Sequence, residues 1–484
     1  MSARSRRQRS LEYDLEHARS YEEWLQAAEA LDSLQGLDDW REDEVSDLYH
    51  HALVEEHRSN LRKYREKGDI VSLLTTLEES LYRHLGEIGA PELYRVARCG
   101  TKRLISEFLE EVDASMNYIC DNDYPGLADA DKLAQFEQAA KVYGRPALLM
   151  SGGAALGVYN IGVVAALLDA DVLPQVVSGA SMGSFVAVVI GSRSREDLVD
   201  LFHNLDRLHT TALQMVSPMT MLKDRVFLDS EQLFECIDAN SAGLTFREAF
   251  EVSGLVINIS VSPTRSRQKP RLLNHLTSPD VLISHASLAS CAIPGVFPPV
   301  TLMCRDGRGE TVPYMGTEKW TDGSVYGDIP VQRMSRLHNV NMSIVSQSNP
   351  HVIPFTALNK ADTPRLLSNT GSAVFNSLKA QATVALDFAR SSINYRPLRS
   401  LLDNGHAVLA QQYHGDINIH LPPKPAIYTK LLSNPDEKGM DEYMLLGRRA
   451  TWPEIAAIRD KTRISRAFDT CIARLREKVG PGNG

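Results

Sequence analysis

From Leu11 to Tyr143, apolar residues recur every three or four positions. Tyr21, Trp24, Leu25, Ala28 and Leu31 set the spacing, and the segments Val45–Lys67, Ile70–Leu85, Pro91–Cys99 and Thr101–Ile119 continue it. That period marks one face of an amphipathic helix. Gly36, Gly68, Gly86 and Gly100 punctuate the run, so residues 1–142 are predicted to form a packed helical domain. At Arg145 the texture changes. Short apolar runs at Ala147–Met150, Val176–Ser178, Leu255–Val261 and Met342–Ser346 alternate with helical stretches. This alternation predicts a parallel sheet with helices on its faces, within residues 143–354. Residues 355–484 read as mostly helical again, with a Pro-rich stretch at Leu421–Pro425.

Composition narrows the class. The chain of 484 residues is 43% hydrophobic and 23% charged, as in an ordinary globular protein. A net charge of -9 gives no domain-wide basic surface, which argues against a nucleic-acid partner. The one basic cluster, Arg4, Arg6, Arg7 and Arg9, is expected to be a solvated, disordered tail, with contact to anionic lipid as the alternative. Six scattered cysteines without CxxC spacing suggest neither zinc nor redox chemistry and fit a reducing, cytoplasmic compartment. No apolar stretch is long enough to span a membrane, and no signal peptide is expected. The expectation is a protein that is soluble or only peripherally bound to membrane or lipid droplets. Its oligomeric state is left open.

Three stretches carry chemistry. In "LLMSGGAALGVYNIGVV" a short apolar strand runs into Gly152, Gly153, Ala154, Ala155 and Gly157 and then into a helix. Backbone amides at such a helix start converge on an anion, either a phosphate or a developing oxyanion. A dinucleotide fingerprint needs glycine where Ala154 stands and an acid ending the next strand. Asp169 and Asp171 instead end the helix, which disfavours that reading. In "VVSGASMGSFVAVVIG", Gly179, Ser181 and Gly183 form G-x-S-x-G between strand and helix, the setting of a nucleophile elbow. In "KWTDGSVYGDIPV", Asp322 precedes Gly323, a pair that in isolation is only a turn.

Taken together, these motifs resemble the patatin-like phospholipase family. Gly152–Gly157, Gly179–Gly183 and Asp322–Ser324 match its oxyanion loop, serine motif and aspartate motif, and "SHASLASCAIPGVFPPV" resembles its Ala/Ser-rich helix and Pro-flanked loop. The segments "EWLQAAEALDSLQGLDDWR", "RCGTKRLISEFLEEV", "VSQSNPHVIPF" and "RRATWPEI" resemble the branch of patatin-type triacylglycerol lipases with a helical N-terminal domain. The resemblance implies a three-layer α/β/α sandwich, Ser181 as nucleophile, Asp322 as its only side-chain base, and amides of Gly152, Gly153 and Ala154 as the oxyanion hole. It implies no metal and no cofactor. Ala154, Leu156 and Ser324 depart from the common patatin pattern. Main-chain amides do not require glycine at Ala154 unless its φ is positive.

The function expected is hydrolysis of a lipid ester, of triacylglycerol or phospholipid, through an acyl-enzyme. Burial would have to raise Asp322 toward working pH, since an ordinary aspartate is a poor base. Met215, Met219 and Met221, with Leu213, Val216 and Leu222, suit a surface that accepts acyl chains; ordinary packing is the competing reading. Three alternatives are carried. One is transacylation through the same intermediate. Another is an α/β-hydrolase triad using His351 or His414. The last is a non-catalytic lipid-surface scaffold.

Overall fold

The computed structural model describes residues 3–81, 85–217, 228–265, 268–349, 414–422, 431 and 433–480. They divide into two compact units.

The first unit is helical and comprises residues 3–146, 335–342 and 451–480. Its elements are α1 (Ala3–His17), α2 (Tyr21–Gln35), α3 (Leu37–Glu42), α4 (His51–Lys67), α5 (Ile70–Ser80), α6 (Arg103–Asp121) and α7 (Asp129–Tyr143), joined much later in the chain by the long helix Ile455–Val479. The N-terminal basic cluster is not a disordered tail. It lies on α1, which packs along α2, and Arg4 donates to the Leu34 carbonyl. Docking on a neighbour supplies the order that a short charged helix lacks alone. Val54, Leu61, Leu73, Phe108, Val112 and Met116 form the core, and Ile464, Phe468, Cys471 and Leu475 of the last helix complete it. The Phe468 ring stands edge-on to Phe136, with centroids 6.1 Å apart.

The second unit is made of the described residues within 147–334 and 343–450 and holds most of the sheet. Its strands are β1 (Arg145–Met150), β2 (Val176–Gly179), β3 (Val256–Pro263), β4 (Arg271–Leu273), β7 (Trp320–Asp322), β8 (Val340–Gln347) and β9 (Ile417–His420); β5 (Met303–Arg305) and β6 (Thr311–Pro313) form a separate hairpin. The order is β4-β3-β2-β1-β8-β9, with β7 also on β3. β1, β2 and β3 run parallel, as do β8 and β9, while β4 and β7 are antiparallel to β3. Every residue of β2, and every residue of β3 except Pro263, is buried, so these central strands are covered on both faces.

The helices that follow are α8 (Tyr159–Asp169), α9 (Met182–Gly191), α10 (Arg195–His203), α11 (Ser230–Ser241), α12 (Phe246–Ser253), α13 (Ile283–Cys291), α14 (Ser324–Gly327), α15 (Val331–His338) and α16 (Glu437–Thr451). The last helix of the helical unit is then α17 (Ile455–Val479). α8 and α9 are buried on every side, so neither shows a polar face. α16 lies directly on α8. A Cβ on Gly162 would fall 2.0 Å from the Met444 carbonyl oxygen, and one on Gly447 would fall 2.3 Å from that of Tyr159. Among the described residues no helix is long and apolar enough to cross a membrane.

Candidate active site

β2 ends at Gly179, and α9 begins three residues later. Ser181 makes the turn with φ +49° and ψ −126°. A side chain in that region stores about 1–3 kcal/mol of strain, and the surroundings must impose it. Here they do. The Ser181 N–H donates to Ser290 Oγ at 2.9 Å, and Ser184 Oγ donates to the Ser181 carbonyl at 2.6 Å. Ser184 in turn meets Ser287 Oγ at 2.9 Å. Ser287 and Ser290 are three residues apart on α13, so one helix face presents both. The flanking glycines are required by space. A Cβ on Gly179 would lie 2.2 Å from the Gly183 carbonyl oxygen, and one on Gly183 would lie 2.4 Å from that of Met150.

β7 brings Asp322 to the same place. Asp322 is paired across from Val261 of β3, and its N–H donates to the Ala292 carbonyl at 3.0 Å. Gly323 lets the chain pass the Ser260 carbonyl, where an added Cβ would sit 2.1 Å from the oxygen. The carboxylate accepts the Ser324 N–H at 2.7 Å, and the Ser324 and Ser181 hydroxyls lie close enough to stabilise its charge. Burial pushes it up to about 6 against that stabilisation.

The glycine-rich turn after β1 closes the third side. Gly152 lies against Ser181, its Cβ position 3.0 Å from that of the serine. Its carbonyl accepts from Ser151 Oγ at 2.9 Å and Ser348 Oγ at 3.0 Å. Its N–H donates to Asp328 Oδ1 at 2.9 Å. That amide is therefore engaged, so Gly152 does not offer the free oxyanion donor expected of it. The N–H groups of Gly153 and Ala154 meet no acceptor among the described residues. Gly157 is pressed against Met182, where an added Cβ would meet the methionine Cβ at 2.5 Å.

Ala154 has φ +48°, so the position that departs from the family's glycine does require the left-handed region. An L-residue there costs about 1–2 kcal/mol, and glycine gives back about 0.4–1 kcal/mol through its freer unfolded chain. Ala154→Gly is expected to leave the protein equally stable or more stable by up to about 1 kcal/mol, with turnover within a few-fold of wild type. A lowered melting temperature in a thermal scan would show instead that the alanine methyl contributes packing that outweighs the strain.

Two carboxyls meet at this site, and the sequence singled out only one. Asp328 is buried and also accepts a hydrogen bond from the Asn349 side-chain amide. Burial and the nearby Asp322 push it up to about 8, while the Gly152 N–H and the Asn349 amide act to lower it. Its spacing from Asp322, across the one-turn α14, and the "QSN" ending of β8 were the available signals. Ser184, Ser287 and Ser290 were likewise missed as supports of the turn, although the serine-rich helix was noticed.

Other candidates fall elsewhere. His414 is exposed and precedes β9, whose parallel run puts it at the opposite end of the sheet from Ser181. His351, Met219 and Met221 lie outside the described residues. Met215 is 70% exposed and bridges to Leu228. A small apolar cavity opens beside the turn, walled by Ala155, Met182, Phe185, Leu213, Leu233 and Met440. Among the described residues no group of His, Cys, Asp and Glu is placed to hold a metal.

Residues 1–141 match the family described as "Domain of unknown function (DUF3336)", and residues 148–334 match "Patatin-like phospholipase". The chain is 33% identical to triacylglycerol lipase 4 of Saccharomyces cerevisiae, over 96% of this chain and 53% of that one. It is 32% identical to triacylglycerol lipase SDP1L of Arabidopsis thaliana, over 95% of this chain and 58% of that one. It is 30% identical to triacylglycerol lipase ptl3 of Schizosaccharomyces pombe, over 96% and 97%. The chain thus spans little more than half the length of the first two relatives and nearly all of the third.

Proposed function

The chain belongs to the patatin-like phospholipase family, in its branch of triacylglycerol lipases with a helical domain ahead of the catalytic one, and from that premise we propose that it hydrolyses carboxylic esters of lipids, triacylglycerol or phospholipid, through Ser181 and Asp322. The observation that carries the reading is the placement of Ser181, at a strained strand-to-helix turn, beside the buried Asp322 carboxylate, whose charge the serine hydroxyl helps to stabilise.

Each step has a residue. Ser181 Oγ attacks the ester carbonyl while its proton passes to Asp322. The carbonyl oxygen becomes an oxyanion and takes the free N–H groups of Gly153 and Ala154. One such donor is typically worth about 2.7–4 kcal/mol of barrier. The tetrahedral intermediate collapses, the ester C–O bond breaks, and the leaving alkoxide receives the proton from Asp322. Water then attacks the acyl-enzyme, Asp322 accepts its proton, and collapse returns that proton to Ser181 with release of the fatty acid.

The apolar cavity lies where an acyl chain would enter, for its walls begin at Met182 and Ala155, immediately after the nucleophile and the amide donors. Leu213 in the wall and the exposed Met215 two residues on offer contact to a lipid surface. The six cysteines are free thiols, which suits a reducing compartment.

The test incubates the purified protein with triacylglycerol, diacylglycerol and phospholipids in parallel and identifies products by mass spectrometry. Free fatty acid with the matching lower ester is the expected product. Acyl transfer to a second glyceride without free acid would indicate the transacylase. No product, together with no fluorophosphonate adduct at Ser181, would leave the scaffold reading. Chain length gives a further check. Ala212 is buried in the cavity wall, and Ala212→Phe fills part of that space. It should lower the rate on a palmitoyl ester about tenfold relative to a butyryl ester. An unchanged ratio would remove the cavity from substrate binding.

A further inference from the structure

The Asp328 carboxyl has no place in the steps above, yet it is buried within the site. Both of its oxygens are engaged. Oδ1 accepts the Gly152 N–H at 2.9 Å, and Oδ2 accepts the Asn349 side-chain amide. The other anchors of the glycine turn come from the same segment as Asn349. Ser348 Oγ donates to the Gly152 carbonyl at 3.0 Å, and the Ser348 N–H donates to Ser151 Oγ at 2.8 Å. Gly153 is held so close that an added Cβ would lie 2.6 Å from Ser348 Oγ. Asn349 itself is oriented, with its N–H donating to Gln347 Oε1 at 3.1 Å. Both main-chain groups of Gly152 are thus gripped, its carbonyl by two serines and its N–H by Asp328, so the peptide groups on either side of it are fixed. The next two N–H groups along the chain are the unengaged ones.

We propose that Asp328 is a positioning residue, which with Asn349 locks the Gly152 peptide so that the Gly153 and Ala154 amides stand ready for the oxyanion. The inference rests on the reading of Ser181 as nucleophile. It assigns Asp328 no proton transfer. A preorganised donor does its work without reorientation during the reaction, so a loosened turn loses rate and not substrate affinity.

The polarity of the lock makes it testable. Asparagine at position 328 has one acceptor and one donor end. If its oxygen takes the Gly152 N–H, its NH2 faces the NH2 of Asn349, and the reverse placement opposes Gly152. Unless Asn349 turns its amide over, two donors confront each other in a buried place either way. Exchanging the two residues restores one donor for each acceptor.

Four variants are compared with wild type on a soluble butyryl ester: Ser181→Ala, Asp328→Asn, Asn349→Ala, and the double variant Asp328→Asn with Asn349→Asp. Fluorophosphonate labelling rate and thermal melting are measured in parallel on every variant that retains Ser181. Asp328→Asn is expected to lower kcat about 100-fold with KM within twofold, and to slow labelling of Ser181 in step. Asn349→Ala, which leaves the carboxyl in place, should lower kcat about tenfold in the same pattern. The exchanged pair should recover kcat to within tenfold of wild type. Wild-type kcat in Asp328→Asn would overturn the proposal, and so would an exchanged pair that melts cooperatively but is no faster than the single variant. Should Asp328→Asn fail to fold, a normal kcat in folded Asn349→Ala would overturn it equally. Ser181→Ala separates the two levels. If that variant keeps its activity, the nucleophile assignment falls; if it is inactive, the other variants judge Asp328 alone.

Discussion

Ser181→Ala is expected to lower ester hydrolysis on the order of 10⁴–10⁶-fold. Among the described residues no other hydroxyl stands on a strained turn beside Asp322. Ser184, Ser287 and Ser290 are close, but their hydroxyls serve the backbone and each other. None is free to take over the attack. The loss should come without unfolding, because both partners of the Ser181 backbone remain. A second substitution sharpens the claim. Ser181→Gly removes the hydroxyl and also the Cβ that makes φ +49° costly. It should be equally inactive and should exceed Ser181→Ala in stability by about 1 kcal/mol, the relieved strain less what glycine's freer unfolded chain takes back. Kinetics on a short-chain ester and a melting curve for each variant check both parts. An active, folded Ser181→Ala would remove the nucleophile from the mechanism. A Ser181→Gly no more stable than Ser181→Ala would show that the turn is relaxed and that the elbow geometry stores nothing.

Much of this arrangement could be read along the chain because it is local. The apolar runs of β1 and β2 lead directly into the glycine turn and into Ser181, so strand, turn and helix lie within one short window. The Asp322–Gly323 pair alone reads as a turn, and only the family resemblance picks out the aspartate; the structure gives that glycine its reason in the crowding by the Ser260 carbonyl. What stayed hidden depends on residues far apart. Asp328 reads as a turn acid beside Gly327 and becomes an internal ligand of the Gly152 peptide only when β8 delivers Asn349. The serines of α13 are small residues on a buried helix until α9 is laid against them. α17 has an evident apolar face, but nothing in its period names the partners, which lie more than 300 residues earlier: Cys120 donates its thiol to the Cys471 carbonyl across 351 positions. The N-terminal arginines look like a solvated tail because charge alone says nothing of α2 beside them. Ala154 shows the limit in the other direction. Its identity suggested tolerance, and its backbone shows strain.

The sharpest separation of activity from stability should come from Asp322→Asn. As the only side-chain base in the mechanism, Asp322 must be ionised to accept the serine proton. Its folded value of about 6 therefore predicts that kcat/KM rises with pH through about 6 and then levels. Asparagine cannot accept the proton, so the variant should fall about 10²–10⁴-fold or to background. The same burial has the opposite sign for stability. The carboxyl is harder to ionise folded than unfolded, so between about pH 4 and pH 6 the native state binds the extra proton. Its stabilising contribution is fully present below the unfolded value and is lost as pH rises through the folded one. A shift of about two pH units corresponds to roughly 3 kcal/mol. Asparagine keeps an oxygen for the Ser324 N–H and never ionises. Asp322→Asn should therefore melt several degrees above wild type at pH 7.5, and the gap should close as pH falls toward 4. A histidine-based triad makes a different forecast. There His351→Ala would cost the base, and Asp322→Asn would have the milder effect; in the dyad His351→Ala costs only a few-fold. Activity retained in Asp322→Asn, or a wild type whose melting temperature is indifferent to pH across this window, would contradict the assignment of one buried carboxylate to both effects.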